Sequence, residues 1–407
     1  KAEAYSVDRE INCVGIGKKV DVWCSNDYLG MSCHPKVINA AAATLTKYGV
    51  GSGGTRNISG NSLFHEKLER SLANWFQKEA GLVFTSCYVA NSTTLLTLGK
   101  ILPNCVMFSD EGNHASLIEG IRISQCEKYI FKHNDIEDLE RKLSKISTNR
   151  PKIVIFESIN SMNGSMAPIE EICHVAHKYQ AIVFLDEVHA VGLYGLQGSC
   201  LSEHQNCTHS VDIISGTLGK AVGTIGGFII GKSNLIDAIR SYAPGLIFTT
   251  SLPPSIMSAS IESIRILQTK EGEILRQKHQ FVAKVVRKRL AQSGLPLIPS
   301  LSHIIPLLVG DSNLCKSMSK HLMELHNIYV QPINYPTVKF GTERLRIAPS
   351  PGHNSESIEH LVASLAETWK RAGLALIHPE CTAVSCNCTH TCNSYDKKRE
   401  NILQHLL

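Results

Sequence analysis

The hydrophobic positions of this chain fall into short runs rich in β-branched residues. Four stand out: Lys152-Ile153-Val154-Ile155-Phe156, Ala181-Ile182-Val183-Phe184-Leu185, Val211-Asp212-Ile213-Ile214 and Gly226-Gly227-Phe228-Ile229-Ile230. Each predicts a strand. Helical periodicity separates the earlier runs, as in Ile169-Glu170-Glu171-Ile172-Cys173-His174-Val175-Ala176-His177. Strands alternating with such segments predict an α/β fold, a mostly parallel sheet covered by helices. From about residue 256 the pattern changes to a long helix, Gly272 to Gln292, then a mixed segment through Ala375. The reading is an N-terminal segment over 1–30, a main domain over 31–268, a smaller α+β domain over 269–375 and a tail over 376–407. No internal repeat is visible.

Polar residues cluster where the strands end: Glu157-Ser158, Asp186 to His189, and Ser215 to Lys220. In open α/β sheets ligands bind at the carboxyl ends of the strands, so these three groups predict one shared site. Lys220 closes the Gly-rich turn of Ser215-Gly216-Thr217-Leu218-Gly219-Lys220. A lysine in such a turn is by itself usually a solvated surface charge. Asp186-Glu187-Val188-His189 at the end of the preceding strand changes its weight. An acid at one strand end and a lysine just past the next is what pyridoxal phosphate chemistry needs. The lysine forms the Schiff base, and the acid keeps the pyridinium nitrogen protonated. Ser86-Cys87-Tyr88 lies at a predicted strand-to-helix junction, where a helix N-terminus favours an anion such as phosphate.

Composition agrees with a globular enzyme. The 407 residues are 43% hydrophobic and 19% charged, enough for a large core. The net charge of +5 comes with no long Lys/Arg run, which argues against a nucleic-acid partner. No apolar stretch reaches the length of a membrane span, and the opening Lys1-Ala2-Glu3-Ala4-Tyr5 has no signal-peptide pattern. Ten of the 14 cysteines lie singly over the first 315 residues and read as reduced, buried thiols of an intracellular protein. Sequons such as Asn57-Ile58-Ser59, Asn91-Ser92-Thr93 and Asn163-Gly164-Ser165 are then chance matches. Cys381, Cys386, Cys388 and Cys392 crowd with His378 and His390 in the tail. The Cys388-x3-Cys392 spacing is compatible with zinc, but Cys386-x-Cys388 is tighter than the usual ligand pair, so a tail with exposed thiols is expected ahead of a metal site.

Several longer motifs carry a resemblance. Trp23-Cys24-Ser25-Asn26-Asp27-Tyr28-Leu29-Gly30 resembles the entry motif of the α-oxoamine synthases. These are fold-type I pyridoxal phosphate transferases that join an amino acid to an acyl-CoA with loss of carbon dioxide. Gly51-Ser52-Gly53-Gly54-Thr55-Arg56-Asn57-Ile58-Ser59-Gly60 is similar to the branch that uses glycine and succinyl-CoA. So are Gly112-Asn113-His114-Ala115-Ser116, Phe131-Lys132-His133-Asn134-Asp135, Arg240-Ser241-Tyr242-Ala243-Pro244, Thr250-Ser251-Leu252-Pro253-Pro254 and Gln331-Pro332-Ile333-Asn334-Tyr335-Pro336-Thr337. The likeness runs from Val22 to Gly373. Sister readings are the acetyl-CoA-using branch, which the 55–60 motif argues against, and a non-catalytic scaffold subunit of the same fold.

The resemblance implies roles. Lys220 holds the cofactor and takes a proton from glycine Cα, Asp186 pairs with the ring nitrogen, and His114 stacks on the ring. His189 donates to the phenolic oxygen and Thr217 to the phosphate, which Cys87 and Tyr88 adjoin. Thr249 and Thr250 reach that phosphate from the second subunit of a homodimer with shared active sites. Ser161 lies beside the cofactor. Arg346 grips the glycine carboxylate as a bidentate fork, with Arg344 its near neighbour and Asn26 in support. Thr55 restricts the amino-acid side chain, and Asn57, Ile58, Ser109, Lys128 and Thr337 contact the acyl-CoA. Location in the mitochondrial matrix is also implied, with the presequence absent from this chain.

Three positions depart from the family pattern. The family's N-terminal arginine for the succinyl carboxylate has no counterpart before Val22; Arg9 is the only arginine there and its context does not match. That segment is expected to be missing from the chain. Asn163 stands where the family usually has aspartate, keeping the turn chemistry and dropping a charge. Gly198-Ser199-Cys200 replaces a more glycine-rich turn.

Overall fold

The computed structural model describes residues 19–376. Expectations placed on Arg9, on Cys13 and on the tail cluster of Cys381, Cys386, Cys388, Cys392, His378 and His390 lie outside the described residues. The chain forms two compact units. The larger comprises 26–161 and 165–278; the smaller comprises 19–25, 162–164 and, among the described residues, 279–376.

The first strand, β1 (Asp21–Val22), belongs to the smaller unit. The larger unit is built on β2 (Ala80–Phe84), β3 (Val106–Asp110), β4 (Glu127–Phe131), β5 (Lys152–Glu157), β6 (Ala181–Asp186), β7 (Ile213–Thr217) and β8 (Gly227–Gly231). They form one sheet in the order β2-β8-β7-β6-β5-β3-β4. The pairs from β7 to β4 are all parallel, and β8 runs antiparallel to both of its neighbours. Two reversals cancel, so β2 runs in the same direction as the parallel strands. Helices such as Cys87–Ile101 and Ile169–Lys178 connect the strands. Glu170 and Glu171 in the first turn of Ile169–Lys178, and His177 and Lys178 in its last, complement the helix dipole. Leu82, Phe84, Leu95, Leu98, Ile153 and Phe184 are among the fully or nearly fully buried side chains of the core.

The third apolar run differs from its expected strand. The strand is Ile213–Thr217, because Val211 follows a 3-10 turn and Asp212 turns its carboxylate onto the Val183 N–H, 2.8 Å away. Ser215, Gly216 and Thr217 instead complete the buried strand. Gly216 is required there: a Cβ would lie 2.3 Å from the Phe228 ring.

In the smaller unit β9 (Ile305–Leu308), β10 (Ile328–Tyr329), β11 (Gln331–Ile333) and β12 (Arg344–Ile347) join β1. β1 pairs with β10 in parallel, and β11-β12-β9 form an antiparallel sheet. Helices Ser312–His326 and Ser355–Arg371 complete the α+β unit. Asn354 and Ser357 close a capping box on the second helix. Trp23, Leu322, Leu345, Ile347 and Trp369 are in its core. Trp23 also stacks on His353 at 3.6 Å between ring centroids.

The nine described cysteines are free thiols. Cys105, Cys173, Cys200, Cys207 and Cys315 are buried, as expected, whereas Cys33 is exposed. Cys33 closes the one-turn helix Met31–Cys33, whose only buried residue is Met31. Among the described residues no helix is long and apolar enough to cross a membrane.

Candidate active site

The strand register brings the chemistry to one edge of the large unit's sheet. Glu157, Asp186 and Ser215 are Cα partners across β5, β6 and β7. Thr217, Gly227 and Phe84 are partners across β7, β8 and β2. The carboxyl ends of β2, β5, β6 and β7 therefore lie side by side, where doubly wound sheets bind ligands.

Lys220 sits in the turn that joins β7 to β8. Main-chain bonds from Leu218 N to Gly226 O (3.0 Å), Thr224 N to Leu218 O (2.8 Å) and Gly223 N to Lys220 O (2.8 Å) set this turn. Thr217 Oγ1 donates to Gly226 O at 3.2 Å and accepts from Gly219 N at 3.1 Å. Lys220 Nζ lies 3.2 Å from His189 Nε2. His189 Nδ1 lies 2.7 Å from the Tyr28 hydroxyl, which donates to Asn26 Oδ1 at 3.3 Å. The Asn26–Tyr28 motif and the Lys220 turn thus meet through one imidazole.

Asp186 is buried, and both of its oxygens accept hydrogen bonds. Asn91 Nδ2 donates to Oδ2 at 2.7 Å and the Val188 N–H to Oδ1 at 2.9 Å. Burial raises the Asp186 pKa; the Val188 N–H, His114, Asn91 and Lys220 oppose the rise. Asn91 Nδ2 also donates to Ser116 Oγ at 3.0 Å. Ser116 in turn holds His114, its N–H donating to Nδ1 at 3.2 Å and its Oγ lying 2.8 Å from the same nitrogen. Burial lowers the His114 pKa, so its imidazole is neutral at pH 7. Glu157 is buried beside Asp186, and burial together with the Asp186 charge raises its pKa well above the carboxylate range.

A helix start with two backbone N–H groups unsatisfied among the described residues adjoins this cluster. Helix Cys87–Ile101 begins just past β2, with Ser86 Oγ accepting from Val89 N at 3.2 Å as N-cap. Among the described residues no acceptor takes the N–H of Cys87 or Tyr88. Gly227 lets β8 approach this helix start: a Cβ there would lie 2.3 Å from Cys87 N. Burial, and then the Asp186 charge, push the Cys87 thiol pKa well up, so it is no thiolate nucleophile.

The other expected residues fall into separate places. Thr55 bridges to Thr250 in an isolated antiparallel pair, and Ser251 N donates to Gly54 O at 2.9 Å. Thr249 and Thr250 line a shallow cleft with Arg56, His65 and Thr85. Behind it Arg56 pairs with Glu69 at 2.7 Å, both nearly buried. Asn57 and Ile58 occupy the π-turn Arg56–Gly60, with Ile58 85% exposed. Ser109 is buried, its hydroxyl donating to Asp110 O (3.2 Å) and accepting from Asn113 Nδ2 (2.9 Å). Lys128 is exposed on β4, the edge strand. Ser161 is buried in the large unit.

Arg346 and Thr337 belong to the small unit. Arg346 is buried on β12, with Gln331 and Pro306 as Cα partners. Arg344, its neighbour, donates to the carbonyls of Thr342 (2.9 Å) and Met162 (3.4 Å), and burial lowers its pKa to about 10. Thr337 N donates to Asn334 O at 2.9 Å in the turn containing the cis Tyr335–Pro336 bond.

Sequence reasoning gives no site role to Tyr28, Asn91 or Ser116. Asn91 stands out in the sequence only as part of a chance sequon. Its helical position one turn into Cys87–Ile101 is the available signal, since that helix starts at the predicted anion site. Among the described residues no group of three or more His, Cys, Asp or Glu could hold a metal ion.

Known proteins resemble this chain in sequence and fold. Residues 18–365 match the family model described as Aminotransferase class I and II. The erythroid-specific mitochondrial 5-aminolevulinate synthase of Opsanus tau is 52% identical over 386 residues, covering 95% of this chain and 65% of that protein. The non-specific mitochondrial 5-aminolevulinate synthase of Bos taurus is 53% identical over 377 residues, covering 92% of this chain and 58% of that protein. The chain thus spans somewhat less than two thirds of these relatives. Among solved structures, Sphingomonas wittichii serine palmitoyltransferase superposes with a TM-score of 0.84 at 28% identity, covering 88% of this chain and 89% of that one. A high-resolution structure of SPT with PLP bound as its internal aldimine gives a TM-score of 0.85 at 29% identity over 88% and 89% of the two chains. The fold is that of fold-type I transferases, with a mostly parallel central sheet and a smaller α+β unit. A family match over most of the sequence, and a fold that superposes on these transferases over most of its length, mean that the chain belongs to the aminotransferase class I and II family.

Proposed function

We propose that this protein is a pyridoxal phosphate-dependent acyltransferase that condenses glycine with succinyl-CoA, giving 5-aminolevulinate, coenzyme A and carbon dioxide. That is the first step of haem biosynthesis, and the named relatives support a mitochondrial matrix location. The observation that carries the reading is the pairing of Lys220 and Asp186 on neighbouring strand ends. The lysine amine lies against His189, and the acid is held by two donors.

The residues fit the cofactor. Asp186 suits a protonated ring nitrogen, since two fixed donors favour its anion. The neutral His114 imidazole suits the face of the ring. The Cys87 and Tyr88 N–H groups, with Thr217, suit a phosphate. When bound, the cofactor serves as an electron sink for the carbanion formed at glycine Cα. Lys220 would hold the cofactor through its amine and would serve as the base that takes the proton from glycine Cα. His189 would direct its Nε2–H at the phenolic oxygen once the Tyr28 hydroxyl turns its proton from Asn26 to His189 Nδ1, and Tyr28 fixes the orientation of that imidazole. Ser161 lies against the cofactor.

Arg346 binds the glycine carboxylate with two parallel N–H donors, aided by Asn26. Thr55 leaves room for glycine alone, and Asn57, Ile58, Ser109, Lys128 and Thr337 meet the acyl-CoA. The enzyme works as a homodimer in which Thr249 and Thr250 complete the partner's phosphate site. Exposed apolar side chains flanking these threonines and Thr55 support a covered face: Val50 at 82%, Ile58 at 85% and Phe248 at 81%. Purified protein supplied with glycine and a panel of acyl-CoAs tests the reading. Succinyl-CoA should be consumed with release of 5-aminolevulinate; turnover with acetyl-CoA alone would overturn the substrate.

A further inference from the structure

Two acids stand side by side at the ends of β5 and β6, and the proposed chemistry uses only one. Glu157 and Asp186 are Cα partners in the sheet, and both are buried. Their hydrogen bonds differ. Asp186 accepts on both oxygens, from Asn91 Nδ2 and from the Val188 N–H. Glu157 lies near the His114 backbone amide, and its Oε1 is buried with no partner. Glu187, the residue after Asp186, shows that deep burial does not by itself strip a carboxylate here. Its Oε2 accepts from Leu201 N at 3.1 Å and its Oε1 from Ser202 N at 2.9 Å.

A bare oxygen is expensive on an anion and cheap on an acid. A buried charged acceptor without a donor costs more than the roughly 1–3 kcal/mol of a neutral one. A protonated oxygen needs no donor and can itself give a hydrogen bond. The groups facing Glu157 work in the same direction. Asp186 on β6, Asp110 on β3 and the Cys87 thiol surround it, with Lys220 as the cation. Adjacent like charges in a dry site do not both ionise.

We infer that Glu157 is held as a neutral carboxylic acid, so that the Glu157–Asp186 pair carries one negative charge, fixed on Asp186. Glu157 is then a positioning residue. It rests on the cofactor reading for its use, since one charge at the ring nitrogen is what that chemistry asks of the pair. A second charge beside Lys220 would hold the lysine amine protonated and slow its attack on the cofactor. The orphaned oxygen supplies an O–H donor inside the site.

Infrared spectroscopy of cofactor-free and cofactor-loaded protein tests this, with glutamate carboxyls labelled by carbon-13. Wild-type protein at pH 7 should hold a protonated-carboxyl band that moves with the label and is missing from Glu157→Gln. Asp186→Asn removes the neighbouring charge, so the band should vanish at a pH lower by about one unit or more, a tenfold change in the ionisation constant. A labelled wild-type spectrum without a protonated glutamate at pH 7, or a band that survives Glu157→Gln, would overturn the inference. The wild-type titration decides even if a variant fails to fold. Should the protein bind no cofactor, the proposed function fails while the cofactor-free spectrum still tests the pair.

Discussion

Gly227→Ala is the substitution whose consequence the structure defines most sharply. Gly227 starts β8 and pairs with Phe84 and Thr217, directly beneath the start of helix Cys87–Ile101. An added Cβ would lie 2.3 Å from Cys87 N, 2.4 Å from Cys87 Cα and 2.4 Å from Ser86 C. Ordinary contact begins at 3.4 Å, so the gap must open by 3.4 − 2.3 = 1.1 Å. All three atoms are backbone, and no side chain can swing aside. Overpacking of this kind costs about 1–3 kcal/mol of stability. The same shift moves the Cys87 and Tyr88 N–H groups off the phosphate. A misplacement of about 1 Å costs on the order of a hundredfold where geometry is demanding, so cofactor affinity should fall roughly 10- to 100-fold. Titrating cofactor-free protein with pyridoxal phosphate by absorbance reads the affinity, and thermal melting reads the stability. Gly216→Ala separates the two effects: its Cβ meets the Phe228 ring at 2.3 Å, so it should lose stability with less loss of affinity. Gly51→Ala, with nothing within 4 Å, should leave both unchanged. Wild-type affinity in Gly227→Ala would refute the assignment of this helix start to the phosphate.

Other perturbations probe the remaining parts. Asn91→Ala strips Asp186 of its 2.7 Å donor. A hydrogen bond to a charged group is worth about 1.5–3 kcal/mol, so the same titration should read an affinity roughly 10- to 100-fold weaker; no change would remove Asn91 from the site. Arg346→Lys should raise the KM for glycine far more than that for succinyl-CoA, because a point charge cannot replace a planar fork, and equal rises would point to another role. Burial depresses His65 and His279 from 6.5 to about 4 in the folded protein. The unfolded chain then binds more protons below about pH 6.5, so stability should fall as pH drops from there towards 4. Urea midpoints across that range check the sign, and a midpoint that rises on acidification would contradict it.

The site is legible in the sequence where it rests on strand ends, and hidden where it rests on contacts between distant segments. Asp186 and Lys220 can be found because buried strands are written as apolar runs, and the polar residues at the end of such a run stand at the edge of the sheet. The strand-to-helix junction at Ser86-Cys87-Tyr88 is legible for the same reason. The direction of β8 is not, since a run buried on both faces looks alike in parallel and antiparallel pairing. The last residues of β7 escape the pattern because Ser215, Gly216 and Thr217 are small and polar, and only Phe228 on the neighbouring strand makes Gly216 necessary. Asn91 reaches Asp186 across 95 residues, and Tyr28 reaches His189 across 161. No local pattern records such pairings. The exposure of Cys33 is likewise hidden, because a thiol's burial depends on the neighbours that the fold supplies.

Whether Lys220 carries the cofactor is read most directly by one measurement. The holoprotein is reduced with borohydride, digested, and the modified peptide located by mass spectrometry. A single pyridoxyl-lysine is expected, at Lys220, and none in Lys220→Ala protein that remains folded. Stable labelling of a different active-site lysine in wild type, or a trapped adduct persisting in Lys220→Ala, would contradict it.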